Sequence, residues 1–231
     1  NEMQLSDNPN LGPNDLRFSP YVLDMFRTNA DPIMFPNTNW EDLMFKKASL
    51  QTQHNLNISG GTKDIRYFIS LGFLYQNGLL KQFEGVGYDN NYKYKRYNYR
   101  ANLDFNVTKT TTLKIGIGGI VGNRNEPMIN DATNSIWTLI NQTTPFSSPG
   151  VIDGQLIVTP EERFDNKINL GNSALPKCYG TGYSTAINNT MNLDLLLNQK
   201  LDFITKGLSA EIKGAYNTSY GFTKKRKGQV E

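Results

Sequence analysis

The chain has 231 residues and a formal net charge of +3, from 24 lysines and arginines against 21 aspartates and glutamates, which gives no reason to expect a nucleic-acid partner. Its single cysteine, Cys178, excludes an internal disulfide, and its single histidine, His54, leaves no His/Cys ligand set for a zinc site. We therefore expect neither a metal nor a cofactor.

The sequence lacks any stretch near the roughly 18 uninterrupted apolar residues that a membrane-spanning helix needs. Its mean hydropathy is −0.51. Strands of a transmembrane barrel need only about 10 residues of alternating polarity, so a chain that is hydrophilic on average remains compatible with that class. Neither end resembles a signal peptide or a terminal cap, and we expect an internal fragment.

Residues 1–50 are predicted to form a loop, and residues 51–76 the first hairpin. Apolar Leu56 and Ile58 alternate with amides, and the returning strand continues the pattern after a turn at Gly60 and Gly61. On that strand the apolar positions are Tyr67, Ile69, Leu71, Phe73 and Tyr75. A period of two is typical of a strand with one face in water.

The second predicted hairpin, residues 92–123, alternates most clearly. Its first strand carries Tyr97, Tyr99, Ala101, Leu103, Phe105 and Val107 against Asn98, Arg100, Asn102, Asp104 and Asn106. The returning strand sets Leu113, Ile115 and Ile117 opposite Lys114, Gly116 and Gly118. A helix does not produce this pattern, so both segments are predicted to be strands.

Residues 124–183 are predicted to form a long extracellular loop, far beyond the roughly 12–15 residues of an ordinary structureless connection. Such loops often carry function. Within it, residues 130–142 are predicted to be a short helix with Asn130 or Asp131 as its cap. Three residues are candidates for substrate binding: Trp137, Asn141 and Arg124. For Trp137 the sequence favours anchoring of a small core of the loop itself over stacking on a sugar ring or a peptide.

The third predicted hairpin covers residues 184–223. Leu193, Leu195 and Leu197 alternate with polar residues on its first strand, and Ile212, Tyr216 and Tyr220 do so on its second. Residues 224–227 are four consecutive cations, Lys-Lys-Arg-Lys, just past the strand. They are predicted either to meet anionic lipopolysaccharide or a partner, or to be an ordinary solvated charge run.

Several of these strands are longer than the usual 5–6 residues of a globular protein. Short connections at 60–65, 108–112 and 203–208 alternate with long ones at 77–92 and 123–183, which places all long loops at one end. We therefore predict an all-β fold: a fragment of a large antiparallel up-and-down transmembrane β-barrel with six long strands, short periplasmic turns and long extracellular loops. Arg66, Arg96, Arg100, Asp104 and Lys114 are predicted to face the lumen.

Two motifs carry a family resemblance. Residues 36–45 (PNTNWEDLMF), followed by residues 53–62 (QHNLNISGGT), resemble the NTDW-then-HNLSVSGGT signature of SusC/RagA-family TonB-dependent transporters. Residues 97–104 (YNYRANLD) and 199–208 (QKLDFITKGL) are also similar to that family. The departure is Asn39, where the family pattern commonly has aspartate.

The resemblance implies a full barrel of about 22 strands with a plugged lumen. It implies a protein of the Gram-negative outer membrane, in contact with its lipid, that imports oligosaccharides or peptides. The implied partners are a SusD/RagB-like surface lipoprotein and TonB, the latter through an amino-terminal part missing here. A plug domain is expected to be absent from this chain, which would hold roughly the first third of the barrel wall.

Two other classes of protein are alternatives to a barrel fragment. One is a soluble or surface-exposed all-β adhesive or glycan-binding domain, which shows the same period of two but ordinary strand lengths. The other is an enzyme, which needs a nucleophile and base or an acid pair. The sequence offers neither, and the glycine run 116–122 lacks the spacing of a dinucleotide-binding loop. We therefore expect no catalytic residues.

Overall fold

The computed structural model describes residues 2–12, 15–16, 18–129, 135–159, 162–163, 168–169 and 174–228. Its strands are β1 (Gln51–Gly61), β2 (Ile65–Asn77), β3 (Lys93–Asn106), β4 (Thr111–Pro127), β5 (Val151–Ile152), β6 (Gln155–Leu156), β7 (Glu162–Arg163), β8 (Ile168–Asn169), β9 (Tyr183–Lys200) and β10 (Ser209–Arg226). Its helices are α1 (Glu2–Asp7), α2 (Pro20–Thr28), α3 (Trp40–Met44), α4 (Ile136–Gln142) and α5 (Ala174–Tyr179). In the part of the chain that the structure describes, these helices are all too short or too polar to cross a membrane.

Six long strands form one antiparallel sheet in the order β1-β2-β3-β4-β9-β10. Every neighbouring pair is antiparallel, and the sheet meanders up and down without a crossover between the long strands. Strands β1 and β10 lie at its two edges. The predicted fold class, an all-β fragment of a large up-and-down barrel, is confirmed.

The register gives the sheet two chemically different faces. We call one of them the apolar face. One row of residues across its six strands contains Ile58, Ile69, Ala101, Ile117, Leu193 and Tyr216. The neighbouring row on the other side, the polar face, reads Asn57, Ser70, Arg100, Gly118, Asn192 and Asn217. Because side chains alternate along each strand, the period of two in the sequence becomes two continuous surfaces.

Among the described residues, no second layer covers the apolar face. Leu195 is 42% exposed and Ile212 is 71% exposed, and Leu103 and Ile115 are only partly buried. A soluble β-sandwich buries such a face against another sheet. The exposed apolar face therefore favours a wall in contact with hydrocarbon over the soluble adhesive domain.

The hydrophobic core lies instead at the long-loop end of the sheet, in a unit that we call the cap. The cap comprises α3 with Phe45, residues 78–92, and the described part of residues 128–182. Its buried core contains Trp40, Met44, Leu80, Val86, Leu139, Ile140, Ala174, Leu175, Cys178 and Tyr179. The segments are far apart in sequence and join because each contributes only part of an apolar surface.

Long-range hydrogen bonds link the segments of the cap. The indole Nε1 of Trp40 donates to the carbonyl of Thr144 at 3.0 Å. The Tyr179 hydroxyl donates to the carbonyl of Lys81 at 2.8 Å, and the side-chain amide of Asn90 donates to the carbonyl of Cys178 at 3.0 Å. Each of these three donors thus recovers the hydrogen bond that it loses to water, and the bond also fixes how two segments pack.

The elements extend beyond the boundaries expected from the sequence. The region predicted as a loop, residues 1–50, contains α1, α2 and α3. Strand β4 continues to Pro127, rather than ending at 123, and β10 continues to Arg226, rather than ending at 223. At these outer ends polar residues occupy both faces, so the hydrogen-bonded ladder continues where the alternation of polarity has stopped.

The predicted helix of the long loop begins at Ile136, where the Ser135 hydroxyl accepts a hydrogen bond from the backbone N–H of Thr138. Ser135 is therefore the N-cap. The expected cap residues, Asn130 and Asp131, lie outside the described residues.

Candidate functional site

A cavity of about 630 Å³ lies where the cap meets the outer end of the polar face. On the cap side it is lined by Phe45, Leu79, Leu80, Met128, Ile129 and Ile136. On the sheet side it is lined by Tyr92, Glu126, Ser184 and Lys225, which lie in one row across the strands. We call it the mouth cavity. It combines an apolar floor with a carboxylate and an ammonium group, the usual composition of a ligand pocket.

Helix α4 sets the position of two of the predicted substrate-binding residues. Leu139 and Ile140 are buried in the cap core, whereas Trp137 is not part of it. Trp137 is 54% exposed, and its ring stacks on Phe45 with centroids 5.0 Å apart. Asn141 is exposed one turn later on the same side. Trp137 therefore covers the outside of the cap instead of filling its core.

The third predicted residue, Arg124, lies near the outer end of β4 on the polar face. Its guanidinium forms an ion pair with the carboxylate of Glu126 at 3.2 Å. Glu126 lines the mouth cavity, and Phe45, on which Trp137 stacks, lines it from the other side. Arg124 and Trp137 do not line the mouth cavity themselves, but each contacts a residue that does. Their role in binding a substrate stays a prediction.

All five residues predicted to face the lumen lie on the polar face. Arg66, Asp104 and Lys114 occupy one row on adjacent strands, with the Arg66 guanidinium 3.7 Å from the Asp104 carboxylate. Arg100 lies two rows nearer the long-loop end, and Arg96 two rows beyond it. Whether this face lines a lumen is not decided by the sheet alone, so that role remains a prediction.

A second cavity, of about 390 Å³, opens on the polar face near the middle of the strands. Its lining combines Arg100 and five amide or hydroxyl side chains with three aromatic or apolar ones: Asn55, Ser70, Asn98, Thr190 and Asn192, and Phe68, Tyr99 and Ile120. Gly72 and Gly118 also line the cavity, and their backbone is not covered by a side chain of their own. The Oδ1 atom of Asn98 is buried without a hydrogen-bond partner among the described residues.

Sequence reasoning did not single out the amides of this cavity, nor Phe45 and Glu126 at the mouth, whereas Lys225 belongs to the predicted run of cations at residues 224–227. Asn55, Asn98 and Asn192 come from three different strands. Each appears in the sequence only as one polar residue in an alternating run. Their convergence depends on strand register, which the alternation by itself does not specify.

Comparison with known proteins bears on the identity of the chain. It is 28% identical over 127 residues to the TonB-dependent receptor SusC of Bacteroides thetaiotaomicron, covering 49% of this chain and 13% of SusC. It is 28% identical over 78 residues to the TonB-dependent receptor P26 of Formosa agariphila, covering 34% of this chain and 7% of P26. No family model matches the chain. The chain spans a small part of the length of both receptors.

Solved structures of the RagAB peptide importer share the fold. The open-open state superposes with a TM-score of 0.58 at 15% identity, covering 93% of this chain and 24% of that one. The closed-closed state gives a TM-score of 0.55 at 15% identity, covering 87% and 23%. The chain is a SusC/RagA-like segment.

The motifs that predicted this resemblance have clear structural positions in the SusC/RagA-like segment. Residues 36–45 contain α3, and Asn39 is its N-cap: the Asn39 side-chain oxygen accepts from the N–H of Asp42 at 3.2 Å. The amide group of Asn39 also donates to the Asp42 carboxylate at 2.8 Å. An aspartate can cap the helix equally well, but it cannot donate to Asp42. Asn39 therefore preserves the cap.

Burial raises the pKa values of Cys178 and Tyr179 in the cap. Desolvation raises the pKa of the Cys178 thiol from its ordinary 9.0 to about 12. The pKa of Tyr179 is raised by the same cause, with a smaller contribution from Cys178. Both groups stay neutral at physiological pH, which suits a structural role and not a nucleophilic one. Within the described residues, acidic, histidine and cysteine side chains form no group of three or more that can hold a metal ion.

Proposed function

We propose that this SusC/RagA-like segment is part of the barrel wall of a TonB-dependent importer in the outer membrane of a Gram-negative cell. The importer takes up oligosaccharides or peptides. The observation that carries the proposal is the pair of faces on one sheet: an exposed apolar face and a face of amides, glycines and charges. A bilayer on one side and a hydrated lumen on the other account for both.

Strand length supports the proposal. Strands β9 and β10 have 18 residues each, and β4 has 17. A tilted barrel strand crosses the hydrocarbon core with about 9–11 residues, so the outer ends of these strands extend above the membrane. The cap is attached to those outer ends, and the long loops that form it therefore lie on the extracellular side.

The proposed partners follow from the resemblance. A SusD/RagB-like surface lipoprotein would cover the extracellular opening of the barrel, where the cap lies. TonB would act on the amino-terminal part of the full-length importer, and movement of a plug would open a path along the polar face. The segment itself has no catalytic role in this proposal: it contacts the solute and guides it.

The mouth cavity and the cavity of the polar face are the proposed contact points for the solute. Trp137 offers an aromatic ring for stacking on a sugar or on an apolar side chain. Asn141 and Arg124 add a side-chain amide and a guanidinium at the same end of the sheet. Below them, Arg96, Arg100, Asp104, Arg66 and Lys114 line the path.

The test is an uptake experiment with the full-length importer expressed in cells. Purified importer is first offered mixtures of oligosaccharides and of peptides, and the retained class is identified by mass spectrometry. Uptake of that class is then measured in cells with and without TonB. We expect uptake to depend on TonB, because only an energised plug clears the lumen.

Uptake that is equal without TonB would contradict the proposal. So would recovery of the full-length protein in the soluble fraction without detergent, which the adhesive-domain alternative requires. A full-length importer with Lys206→Gln serves as the control variant. Lys206 lies in the short turn between β9 and β10, so its change should leave uptake unaltered.

A further inference from the structure

The apolar face carries cations at one end only. Its strand positions hold four basic residues, Lys93, Lys95, Lys224 and Arg226, all at the long-loop end. We propose that these residues form a binding site for the phosphate groups of lipopolysaccharide in the outer leaflet. The inference rests on the proposed outer-membrane placement and goes beyond it, because it assigns a ligand to the outside of the wall instead of the lumen.

The register fixes where the four side chains point. Lys95 lies in the row of the apolar face that contains Tyr75, Ile187 and Phe222. Lys93 and Lys224 lie in the next row toward the cap. Arg226 lies one row further. Each row rises by about 7 Å along the strand, so the cations occupy a band that starts at the upper edge of the apolar surface.

The charge of this band is not balanced by carboxylates. Across the strand positions of the apolar face, all of which the structure describes, aspartate and glutamate do not occur. Asp89, in the loop before β3, forms an ion pair with Lys93. Lys95 and Lys224 are exposed and form no ion pair with any described residue. Two ammonium groups are therefore free to bind an external anion.

Arg226, the fourth basic residue of the band, is oriented by Tyr183. Its Nη1 donates to the Tyr183 hydroxyl at 2.7 Å, and its guanidinium carbon lies 5.4 Å from the centroid of the Tyr183 ring. Stacking on a ring orients the guanidinium while its remaining N–H groups stay available. The residue remains exposed.

The position of the band points to lipid phosphate as the ligand. Basic side chains just above a hydrocarbon-facing surface meet the headgroups of the adjoining leaflet, and charged headgroup oxygens form strong hydrogen bonds with Lys and Arg. At the other edge of the apolar face, the last rows hold Thr111, Gln199 and Ala210, without a cation. A general need for solubility would place charge at both edges.

The test uses full-length importer with Lys95→Gln, Lys224→Gln and Arg226→Gln combined. The variant is purified in detergent from outer membranes, and retained lipopolysaccharide is measured per protein. The same samples are titrated with purified lipopolysaccharide and with its dephosphorylated form. We expect retention and affinity to fall by about tenfold or more, because each basic group near an anionic surface contributes to binding. Dephosphorylated lipopolysaccharide should bind the wild type as weakly as intact lipopolysaccharide binds the variant.

A control variant removes three cations elsewhere: Lys63→Gln and Lys206→Gln in the short turns, and Lys213→Gln on the polar face. It should retain lipopolysaccharide like the wild type. If the triple variant does not fold, Lys95→Gln with Lys224→Gln removes only unpaired groups and should still lower retention. Equal retention by all proteins, an equal loss in the control, or equal binding of the dephosphorylated form would each overturn the inference. Absence of the importer from the outer membrane would instead count against the proposed function.

Discussion

At the scale of the residue, the two tryptophans have opposite tasks. Trp40 is 3% exposed and donates its indole N–H across the cap, whereas Trp137 is 54% exposed and stacks on Phe45. Burial of a large ring supplies stability, and an exposed ring with one stacked face is free to bind. The same side chain thus stabilises the cap in one place and offers a contact surface in the other.

Replacing each tryptophan by alanine in the full-length importer should separate these tasks. Trp40→Ala should cost about 3–5 kcal/mol of cap stability, because it leaves a cavity and removes the hydrogen bond from the indole to the carbonyl of Thr144. Trp137→Ala should cost about 1 kcal/mol and lower solute affinity roughly tenfold. Hydrogen exchange of the cap and calorimetric titration with the solute measure the two effects. A Trp137 variant with unchanged affinity would remove Trp137 from the binding surface.

Gly119 is required by close packing on the apolar face. The Tyr99 ring and the carbonyl oxygen of Thr190 occupy the space that a Cβ atom on Gly119 would fill. Gly119→Ala should therefore destabilise the wall by about 1–3 kcal/mol. Gly214 lies on the same face with nothing within 4 Å of its Cβ position, so Gly214→Ala should change stability by less than about 0.5 kcal/mol.

Guanidinium unfolding of the detergent-solubilised importer, followed by its gel mobility, measures the difference between the two variants. Equal midpoints for Gly119→Ala and Gly214→Ala would show that Tyr99 moves aside without cost.

At the scale of the element, the cap is a packed unit held on the strand ends. Its core joins α3, α4 and α5 with the residues that follow β2. Its last segment returns directly into β9, where the N–H of Met128 donates to the carbonyl of Gly182 at 3.0 Å. The cap and the outer ends of β4 and β9 are therefore expected to be stabilised together.

The buried thiol of Cys178 makes the stability of the cap depend on alkaline pH. Its pKa is about 12 in the folded cap against an ordinary 9.0, so only the unfolded segment loses the proton between these values. Stability is thus complete below pH 9 and declines as the pH rises toward 12, by about 1.4 kcal/mol per pH unit. Hydrogen exchange of the cap between pH 8 and 10 checks this, and Cys178→Ala should flatten the slope.

At the scale of the whole molecule, the sheet is one sector of a larger wall. Every residue of β10 is exposed, and its outer edge has no neighbouring strand in the sheet. Unpaired backbone groups at such an edge are too costly in hydrocarbon, so further strands must continue the wall on both sides. This requirement agrees with a segment that covers 24% of the RagAB chain in the open-open state.

Labelling of intact cells tests the orientation of the wall. In a full-length importer that carries Cys178→Ala, Asn141→Cys places a thiol on the cap, and Lys206→Cys places one in a short turn. We expect a membrane-impermeant maleimide to label the Asn141 variant on whole cells and the Lys206 variant only after lysis. The reverse pattern would place the cap in the periplasm and would contradict both the proposed import function and the lipid site.

The sequence by itself determined the strands, the two faces and the end at which the long loops lie. These features follow from local polarity: Tyr97 to Phe105 alternates with amides and charges whatever the strand pairs with. The sequence did not predict that β4 and β10 extend to Pro127 and Arg226. Polar residues occupy both faces at these outer ends, so the polarity no longer alternates although the strands remain hydrogen-bonded.

The tertiary structure alone decided which residues meet. The cap core joins Trp40 to Leu139 and Tyr179, and the same face of the sheet holds Lys95 and Lys224 at one end, because strand register and loop packing bring distant parts of the sequence together. Local polarity sets the side of a strand on which a residue lies. Its neighbours across the sheet depend on long-range contacts, which the free energy of the whole chain selects.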